Sequence, residues 1–296
     1  MELENKNYTD FDYLELAKIY SKNEWIRHKT NFKGFENLWY DFDKEEKLII
    51  RELISNFNYL SNEDAEIFCE EALVKIIKEW ELKPENCFFV GTKIGTSPDG
   101  SEIFINFLKG ILRGINDEWG PLELFSNIEE SKIFLNGKVR SIKKPSQIDK
   151  IILIDDFVGT GGTANSRIEH YKQDLEELNI DAEVYFFSLA GMKSGFNFLK
   201  EKNRVYYTCL QLEKGVDLSY DCSKRDKVRG KVKKMESILS DYLNKKKLSE
   251  YSLGWGGSEA LYSWTRNNIP NNVFPIFWWS RYKNNSKRKT MFNRMQ

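Results

Sequence analysis

The segment that most constrains this chain is a run of four aliphatic residues, Ile151–Ile154, followed at once by two acids, Asp155 and Asp156. Unbroken aliphatic runs of this length are typical of a strand buried on both faces of a parallel sheet. Two carboxylates at the end of such a strand are costly to bury unless a polar partner meets them. The sequence therefore predicts a buried strand with a polar site at its carboxyl end.

A glycine-rich loop follows the acid pair and reads Gly-Thr-Gly-Gly-Thr over residues 159–163. The backbone N–H groups of such a loop can surround an anion, and a helix beginning at Thr163 directs its positive dipole end to the same point. The predicted binding residues are Gly159, Thr160, Gly161, Gly162 and Thr163. Carboxylates beside a phosphate site suit a phosphorylated ribose, and we favour this interpretation over a turn that only connects two elements. The glycine spacing matches neither a Walker loop nor a dinucleotide-binding fingerprint.

Strand-like and helix-like segments alternate through the middle of the chain. The predicted strands are 87–91, 150–154, 184–189 and 205–212, and the predicted helices are 103–112, 163–178 and 194–201. This alternation predicts an α/β core with a parallel sheet, whose ligands bind at the carboxyl ends of the strands.

The flanking regions have other patterns. Residues 1–85 have helical spacing, with Ser61 as an N-cap, whereas 115–147 are polar and predict irregular structure. Residues 273–279 predict a closing strand that fills the core, and the expected domains are 1–85, 86–215 and 216–296.

Charge is distributed unevenly along a chain with 45 basic and 45 acidic side chains. Residues 1–80 carry 11 basic and 18 acidic side chains, whereas residues 201–296 carry 20 basic and 9 acidic. Within the basic helical segment 224–247, Lys231, Lys233 and Lys234 are candidate contacts for nucleic-acid phosphate. A solvated helix face is the favoured alternative, and the tail 281–296, which has no acid, predicts a solvated segment.

Several classes of protein are disfavoured by what the chain lacks. Four scattered cysteines and two histidines give little support to a zinc site or a disulfide framework. No apolar run is long enough to span a membrane, and the first residues do not have the pattern of a signal peptide. The expectation is a cytoplasmic protein without membrane contact.

The sequence resembles the type I phosphoribosyltransferases in three features: the aliphatic strand, the acid pair after it, and the Thr-Gly-Gly-Thr loop. The resemblance implies that Asp155 and Asp156 bind the ribose hydroxyls of phosphoribosyl pyrophosphate, and that 159–163 bind its 5′-phosphate. It also implies Mg²⁺ bridging pyrophosphate and ribose oxygens, with no direct protein ligand. The position of the family's pyrophosphate loop is 91–97, where Lys93 and Gly95 would bind the leaving group. A surface lysine is the alternative for Lys93, and the basic segment 138–144 lies where the family has a catalytic hood.

The C-terminal segments 253–261 and 268–278 resemble the end of a phosphoribosyltransferase-like effector family of bacterial conflict systems, including retron anti-phage modules. This resemblance implies a type I phosphoribosyltransferase-like α/β core with a helical N-terminal extension and a C-terminal α+β extension. It further implies a nucleotide or phosphoribosyl substrate and a reverse transcriptase with its RNA–DNA product as partner. Separately from the resemblance, the opposite charges of the acidic N-terminal and basic C-terminal regions suggest surfaces for self-association or for a charged partner.

One position departs from the purine-salvage enzymes of the family. These commonly carry an acid three residues after the second Asp, whereas this chain has Gly159 there, so a conventional hypoxanthine or guanine transferase is disfavoured. Two functions stay open: transfer or cleavage at ribose C1, and an inactive module that senses a nucleotide or holds a nucleoprotein partner.

Overall fold

A computed structural model of the chain describes residues 9–27, 29–93, 100–119, 124–137, 147–265 and 268–294. The strands are β1 (Asn58–Leu60), β2 (Cys87–Gly91), β3 (Leu124–Phe125), β4 (Lys150–Val158), β5 (Glu183–Met192), β6 (Tyr206–Leu212), β7 (Tyr242–Leu243), β8 (Lys246–Lys247) and β9 (Tyr262–Trp264). The helices are α1 (Asp10–Lys22), α2 (Lys29–Tyr40), α3 (Lys44–Ser55), α4 (Asn62–Glu79), α5 (Gly100–Ile115), α6 (Ile128–Leu135), α7 (Gly162–Glu177), α8 (Lys193–Glu201), α9 (Gly215–Ser219), α10 (Cys222–Glu236) and α11 (Leu248–Tyr251).

Five strands form a parallel sheet in the order β3-β2-β4-β5-β6. Strand β4 lies in the middle, with Gly91 of β2 beside Ile154 and Ser188 of β5 beside Asp155. The connections pass through α7 between β4 and β5 and through α8 between β5 and β6. The predicted α/β fold with a parallel sheet is therefore confirmed.

Helices cover both faces of the sheet. On one face, Leu153 and Phe186 pack in a buried cluster with Ile168 of α7 and Phe196 of α8. On the other face, Phe187 of β5 stacks on Phe104 of α5, with ring centroids 6.0 Å apart. Burial on both faces explains why the central strands are nearly free of polar residues until the acid pair.

The chain divides into two compact units. One contains residues 60–213 and 264–267, and the other contains residues 1–59, 214–263 and 268–296. The second unit thus combines the helical N-terminal part with the C-terminal part. The division of the sequence at residues 85 and 215 stays a prediction.

The N-terminal region is helical as expected, and its helices begin at side-chain caps. Asp43 accepts hydrogen bonds from the backbone of Glu45 and Glu46 at the start of α3. The Ser61 hydroxyl accepts from the Asp64 N–H, so the predicted cap of α4 is confirmed. These caps satisfy N–H groups that a helix leaves free in its first turn.

Residues 115–147 contain more structure than predicted. The described part has a 3₁₀ turn at Asp117–Trp119, strand β3 and helix α6. Helix α6 begins at Asn127, whose side chain accepts from the Glu130 N–H, and its Phe134 is buried against the sheet. Eight residues are too few for a helical period to stand out in the sequence, so the segment was wrongly predicted to be irregular.

The C-terminal part differs from the prediction in two ways. Residues 273–279 were predicted as a strand but form a 3₁₀ turn at Pro275–Phe277, although they are buried as expected. Helix α10 ends at Glu236, and Lys246 and Lys247 lie on the antiparallel pair β7–β8 instead of a continuous helix. Pro275 has no backbone N–H and therefore suits the start of a helical turn better than a central strand.

The tail is also more buried than its charge suggested. Arg288, Met291 and Phe292 are at most 6% exposed, so the prediction of a solvated tail is wrong for these three residues, whereas it is confirmed for exposed residues such as Lys283 and Lys289. Phe292 stacks on Phe57 at 5.1 Å, and Arg288 donates to Asp41. Within the described residues, no helix has the length and apolar character needed to cross a membrane.

Candidate functional site

The acid pair lies within strand β4, which extends to Val158 and is four residues longer than predicted. The strand continues because Phe157 and Val158 pair with Ala190 and Gly191 of β5. Asp155 and Asp156 are both half-buried, and the Asp156 N–H donates to Asp155 Oδ1 at 2.9 Å. Both acids are thus close to the carboxyl edge of the sheet, where ligands of such folds bind.

The glycine-rich loop joins β4 to helix α7 in one sharp turn. Gly161 is the N-cap of α7 and has a φ of 82°, a left-handed conformation that glycine adopts without strain. Since glycine has no side chain, the first turn of α7 has no side-chain cap. Thr160, Gly162 and Thr163 are exposed, so the loop presents N–H and hydroxyl donors to solvent. An anion at this helix terminus would be stabilised by these donors and by the helix dipole.

Helix α8 holds the loop from behind through close backbone approaches. A Cβ atom added at Gly161 would lie 2.5 Å from the Gly195 carbonyl oxygen, and one added at Gly195 would lie 2.3 Å from that of Gly159. Neither distance is compatible with a real side chain. The glycines of the loop and of α8 therefore allow a packing that fixes the loop conformation.

Lys93 lies at the same edge of the sheet as the acid pair. The Thr92 N–H donates to the Ile154 carbonyl oxygen at 3.0 Å. Lys93, the next residue after Thr92, therefore lies at the same height along the sheet as Asp155, the next residue after Ile154. Its side chain is mostly buried, and its Nζ donates to Glu102 Oε2 at 2.5 Å. The ammonium is thus positioned near the site but is neutralised by a carboxylate of α5.

Three polar residues of this region were not predicted from the sequence. Ser101 accepts the Lys93 N–H at 3.1 Å, and Glu102 forms the ion pair with Lys93. Ser188 is fully buried opposite Asp155, and its hydroxyl has no hydrogen-bond partner within the described residues. A serine inside the apolar run 184–189 was the one signal in the sequence that could have revealed Ser188.

Other predicted residues lie apart or outside the described structure. Gly95 and the basic segment 138–144 fall outside the described residues. Lys231 is half-buried and forms an ion pair with Glu45, whereas Lys233 and Lys234 are exposed. The ion pair thus distinguishes Lys231 from its two exposed neighbours.

The donor set limits how a metal ion could be held. Within the described residues, no group of three His, Cys, Asp or Glu side chains could hold a metal ion. Mg²⁺ commonly takes most of its ligands from substrate phosphates and water. Two half-buried carboxylates beside an exposed glycine-rich loop therefore fit an Mg²⁺ ion that would arrive with a phosphorylated substrate.

Comparison with solved structures gives distant matches to phosphoribosyltransferases. An orotate phosphoribosyltransferase from Aeropyrum pernix matches at 14% identity over 50% of this chain and 68% of its own, with a TM-score of 0.28. A hypoxanthine phosphoribosyltransferase from Trypanosoma cruzi, complexed with IMP, matches at 15% identity over 53% and 77%, with a TM-score of 0.33. The AQ2163 protein from Aquifex aeolicus matches at 17% identity over 67% and 94%, with a TM-score of 0.31.

Comparison with curated proteins gives no match. A family model covers nearly the whole chain: the model described as PRTase-CE matches residues 24–294. The match includes the α/β core with its acid pair as well as most of the helical N-terminal part and the C-terminal part. The chain belongs to the PRTase-CE family, a phosphoribosyltransferase-like family.

Proposed function

We propose that this protein binds a phosphoribosyl compound or a nucleotide and transfers or cleaves the bond at ribose C1. One observation supports this most strongly. Strand β4 carries two half-buried carboxylates, and the loop after it leads directly into a helix whose N-terminus has no side-chain cap. Asp155 and Asp156 would accept hydrogen bonds from the ribose hydroxyls, and residues 159–163 would hold the 5′-phosphate. Together these contacts fix both ends of the sugar.

Such a site would act mainly by positioning and electrostatics. Cleavage at C1 develops positive charge on the ribose ring, which carboxylates stabilise, and negative charge on the leaving group. Lys93 is the cation predicted to neutralise that group, and its ion pair with Glu102 would have to open before it could act. Mg²⁺, when bound with the substrate, would supply further neutralisation of a pyrophosphate.

The absence of an acidic side chain at position 159 narrows the class of substrate. Gly159 offers no side chain for handling a proton on a purine base. The leaving group or acceptor must then be one that needs no acid at this position, which disfavours ordinary purine salvage. A nucleotide cleaved at C1, or a phosphoribosyl donor with another acceptor, remains compatible with the site.

For the biological role, we propose an effector of a bacterial anti-phage defence system, held silent in the cytoplasm by a partner. The resemblance of 253–261 and 268–278 to the effectors of conflict systems supports this role. In a retron the partner would be a reverse transcriptase with its RNA–DNA product. Expression of the chain with and without these partners during infection tests the role, since partner-independent activity would contradict it.

Binding of the sugar is tested with the purified protein. The variants Asp155→Asn and Asp156→Asn are compared with the wild type singly and in combination. Each should weaken binding of phosphoribosyl pyrophosphate with Mg²⁺, because a carboxylate that accepts from a hydroxyl is replaced by a neutral amide. Loss of one charged hydrogen bond costs about 1.5–3 kcal/mol, or about 10- to 150-fold in Kd.

The matched control is Asp149→Asn, since Asp149 is an exposed acid just before the opposite end of the same strand. It should bind as the wild type does. Equal affinity of the wild type and the double variant, both folded by circular dichroism, would contradict the proposed sugar contacts.

A second candidate function is a catalytically inactive module that senses a nucleotide or holds a nucleoprotein. The ion pair of Lys93 with Glu102 supports it, because the cation is neutralised within the chain. Lys233 and Lys234, exposed on α10, are the proposed contacts for nucleic-acid phosphate.

Charge reversal at these two lysines tests that contact. The double change Lys233→Glu and Lys234→Glu should weaken binding of an RNA–DNA duplex and reduce the slope of log affinity against log salt by about 2. Lys231→Glu is the informative comparison, because this lysine is already paired with Glu45. An unchanged salt slope in the double variant would rule out this surface.

A further inference from the structure

Two cysteines from distant parts of the chain meet in the unit that contains the parallel sheet. Cys69 lies on α4 and Cys209 lies on β6, and their sulfur atoms are 3.9 Å apart. Both residues belong to the compact unit of residues 60–213 and 264–267. The sulfur atoms of a disulfide are about 2 Å apart, so a relative movement of about 2 Å would bring this pair to bonding distance.

The position of Cys69 is set by the packing of α4. The buried residues of this helix are Ala65, Cys69, Ala72, Leu73 and Ile76. They recur mostly at three- and four-residue steps and therefore form one apolar stripe along the helix. Helix α4 packs against β6 and α5. The Cys69 thiol is thus held inside a packed interface and not on a mobile segment.

The position of Cys209 is set by the pairing of β6 with β5. Thr208 is the register partner of Ser188, which fixes this part of the strand. Successive side chains of a strand alternate between its faces, so Cys209 shares a face with Tyr207 and not with Thr208. Lys75 of α4 lies over the Tyr207 ring, with its Nζ 5.1 Å from the centroid. This second contact between α4 and β6 supports the alignment of the two thiols.

The two thiols differ in their access to solvent. Cys69 is 0% exposed, whereas Cys209 is half-buried and lies on the last strand in the order of the sheet. Burial raises the pKa of the Cys69 thiol well above its usual range, and the contact with Cys209 raises that pKa further. Exposure and thiolate character decide which cysteine is oxidised first. A small oxidant in solution should therefore react at Cys209, and Cys69 is placed to react with the product.

We propose that Cys69 and Cys209 form a redox modification site, at which hydrogen peroxide converts the two thiols to a disulfide between α4 and β6. The Cys209 sulfur attacks the O–O bond, takes one oxygen as a sulfenic acid and releases the other as water. The Cys69 sulfur then displaces the hydroxyl group from Cys209, and the Cys69 proton leaves with that hydroxyl as water. Two thiols and one hydrogen peroxide thus give one disulfide and two water molecules. A reducing thiol reverses the change by exchange.

The disulfide would stabilise the fold, because it closes a long segment of chain. Cys69 and Cys209 are 140 positions apart in the sequence. In the chain-entropy account, a link between such distant residues restricts the unfolded chain much more than the folded one. The oxidised protein should therefore melt at a higher temperature than the reduced protein. The site does not depend on the function proposed for the acid pair, since mass and melting report it without any turnover.

Peptide mapping without reduction tests the bridge. The full chain carries Cys222→Ser, because the exposed Cys222 could otherwise link two molecules. It is treated with hydrogen peroxide, its remaining thiols are alkylated in denaturant, and it is digested. A peptide pair linked through Cys69 and Cys209 should appear, and its yield should be several-fold higher than in the same chain oxidised in urea. Absence of the linked pair from the folded protein, or an equal yield in both states, would overturn the proposal.

Single variants test the order of the two steps. In Cys69→Ser the sulfenic acid at Cys209 has no thiol to react with, so dimedone should label Cys209 several-fold more than in the parent. Cys69→Ala repeats this measurement without a buried hydroxyl. In Cys209→Ser the buried Cys69 should remain a thiol, as should Cys87, which is also buried. Labelling of Cys69 in Cys209→Ser as strong as that of Cys209 in Cys69→Ser would contradict the proposed order.

Thermal melts of the two redox states complete the test. Peroxide treatment of the Cys222→Ser chain should raise the midpoint, and dithiothreitol should return it to the starting value. The same treatment should not raise the midpoint when Cys69→Ser or Cys209→Ser is added. An equal or lower midpoint in a sample whose Cys69–Cys209 link is confirmed by mass would refute the proposed stabilisation of the fold.

Discussion

Asp155 and Ser188 are two neighbouring polar residues in an otherwise apolar part of the sheet. The two residues are register partners on β4 and β5, and the buried Ser188 hydroxyl has no partner within the described chain. An unsatisfied buried hydroxyl is costly, and such groups are concentrated where strain or ligand binding explains them.

Glu236 is a second residue whose environment has a measurable consequence. Its carboxyl is 2% exposed and accepts from the Ser252 hydroxyl at 2.6 Å and from the Leu253 N–H at 2.9 Å. Burial raises its pKa to about 7 in spite of these hydrogen bonds. The folded protein therefore binds this proton more tightly than the unfolded chain does, and stability falls as the pH rises from about 4.5 to about 7.

The change Glu236→Gln should remove this pH-dependent loss of stability. The amide can still accept from the Leu253 N–H and donate to the Ser252 hydroxyl, so the packing is retained. We expect the free energy of unfolding at pH 8 to rise by about 1–3 kcal/mol, with little change near a pH of about 4.5. Urea unfolding at the two pH values measures the difference, with the exposed Glu250→Gln as control. An equal effect at both pH values would show that ionisation of Glu236 is not the cause.

At the level of elements, the glycine-rich loop 159–163 and helix α8 pack closely against each other. Gly195→Ala would place a methyl group 2.3 Å from the Gly159 carbonyl oxygen, so the loop or the helix must move. Overpacking of this kind typically costs about 1–3 kcal/mol. We expect a lower thermal midpoint and weaker binding of ribose 5-phosphate, because the loop N–H groups are displaced.

Gly110→Ala is the matched control for this change. Gly110 is also a helical glycine, and a Cβ added there would meet no atom within 4 Å beyond its chain neighbours and the backbone of its own helix. Alanine there should be neutral or stabilising by up to about 1 kcal/mol. If Gly195→Ala bound ribose 5-phosphate as tightly as Gly110→Ala, the role of α8 in holding the loop would be rejected.

The elements that sequence predicted best are those with a strong local pattern. Strand β2 begins at Cys87 and ends at Gly91 as predicted, and α7 begins one residue before the predicted Thr163. The extension of β4 to Val158 was not predictable, since it depends on pairing with Ala190 and Gly191 of β5. The burial of Phe292 likewise depends on stacking against Phe57, far away in sequence.

The candidate site was visible in the sequence for the same reason. The acid pair and the glycine loop are contiguous, so their spacing carries the signal. Ser188 and Glu102 lie on other elements, and no pattern in one sequence connects them to Asp155 or Lys93. What could be predicted was thus the part of the site that one loop carries.

For the molecule as a whole, the uneven charge is partly neutralised within one unit. Acids of the N-terminal region pair with bases of the C-terminal region, as Glu45 does with Lys231 and Asp41 with the buried Arg288. The charge asymmetry had suggested surfaces for a partner or for self-association. These ion pairs show that part of it instead joins the first and last segments of the chain.

Metabolite profiling of cells that express this protein tests most directly whether the acid pair supports chemistry at ribose C1. Cells that express the active wild type should lose a nucleotide or phosphoribosyl compound and accumulate the product of C1 transfer or cleavage. Cells that express the Asp155→Asn, Asp156→Asn variant should have the same nucleotide pool as cells without the protein. Cells that express Asp149→Asn should show the same change as cells with the wild type. An identical change in the pool with the double variant, produced at the same level, would contradict the account.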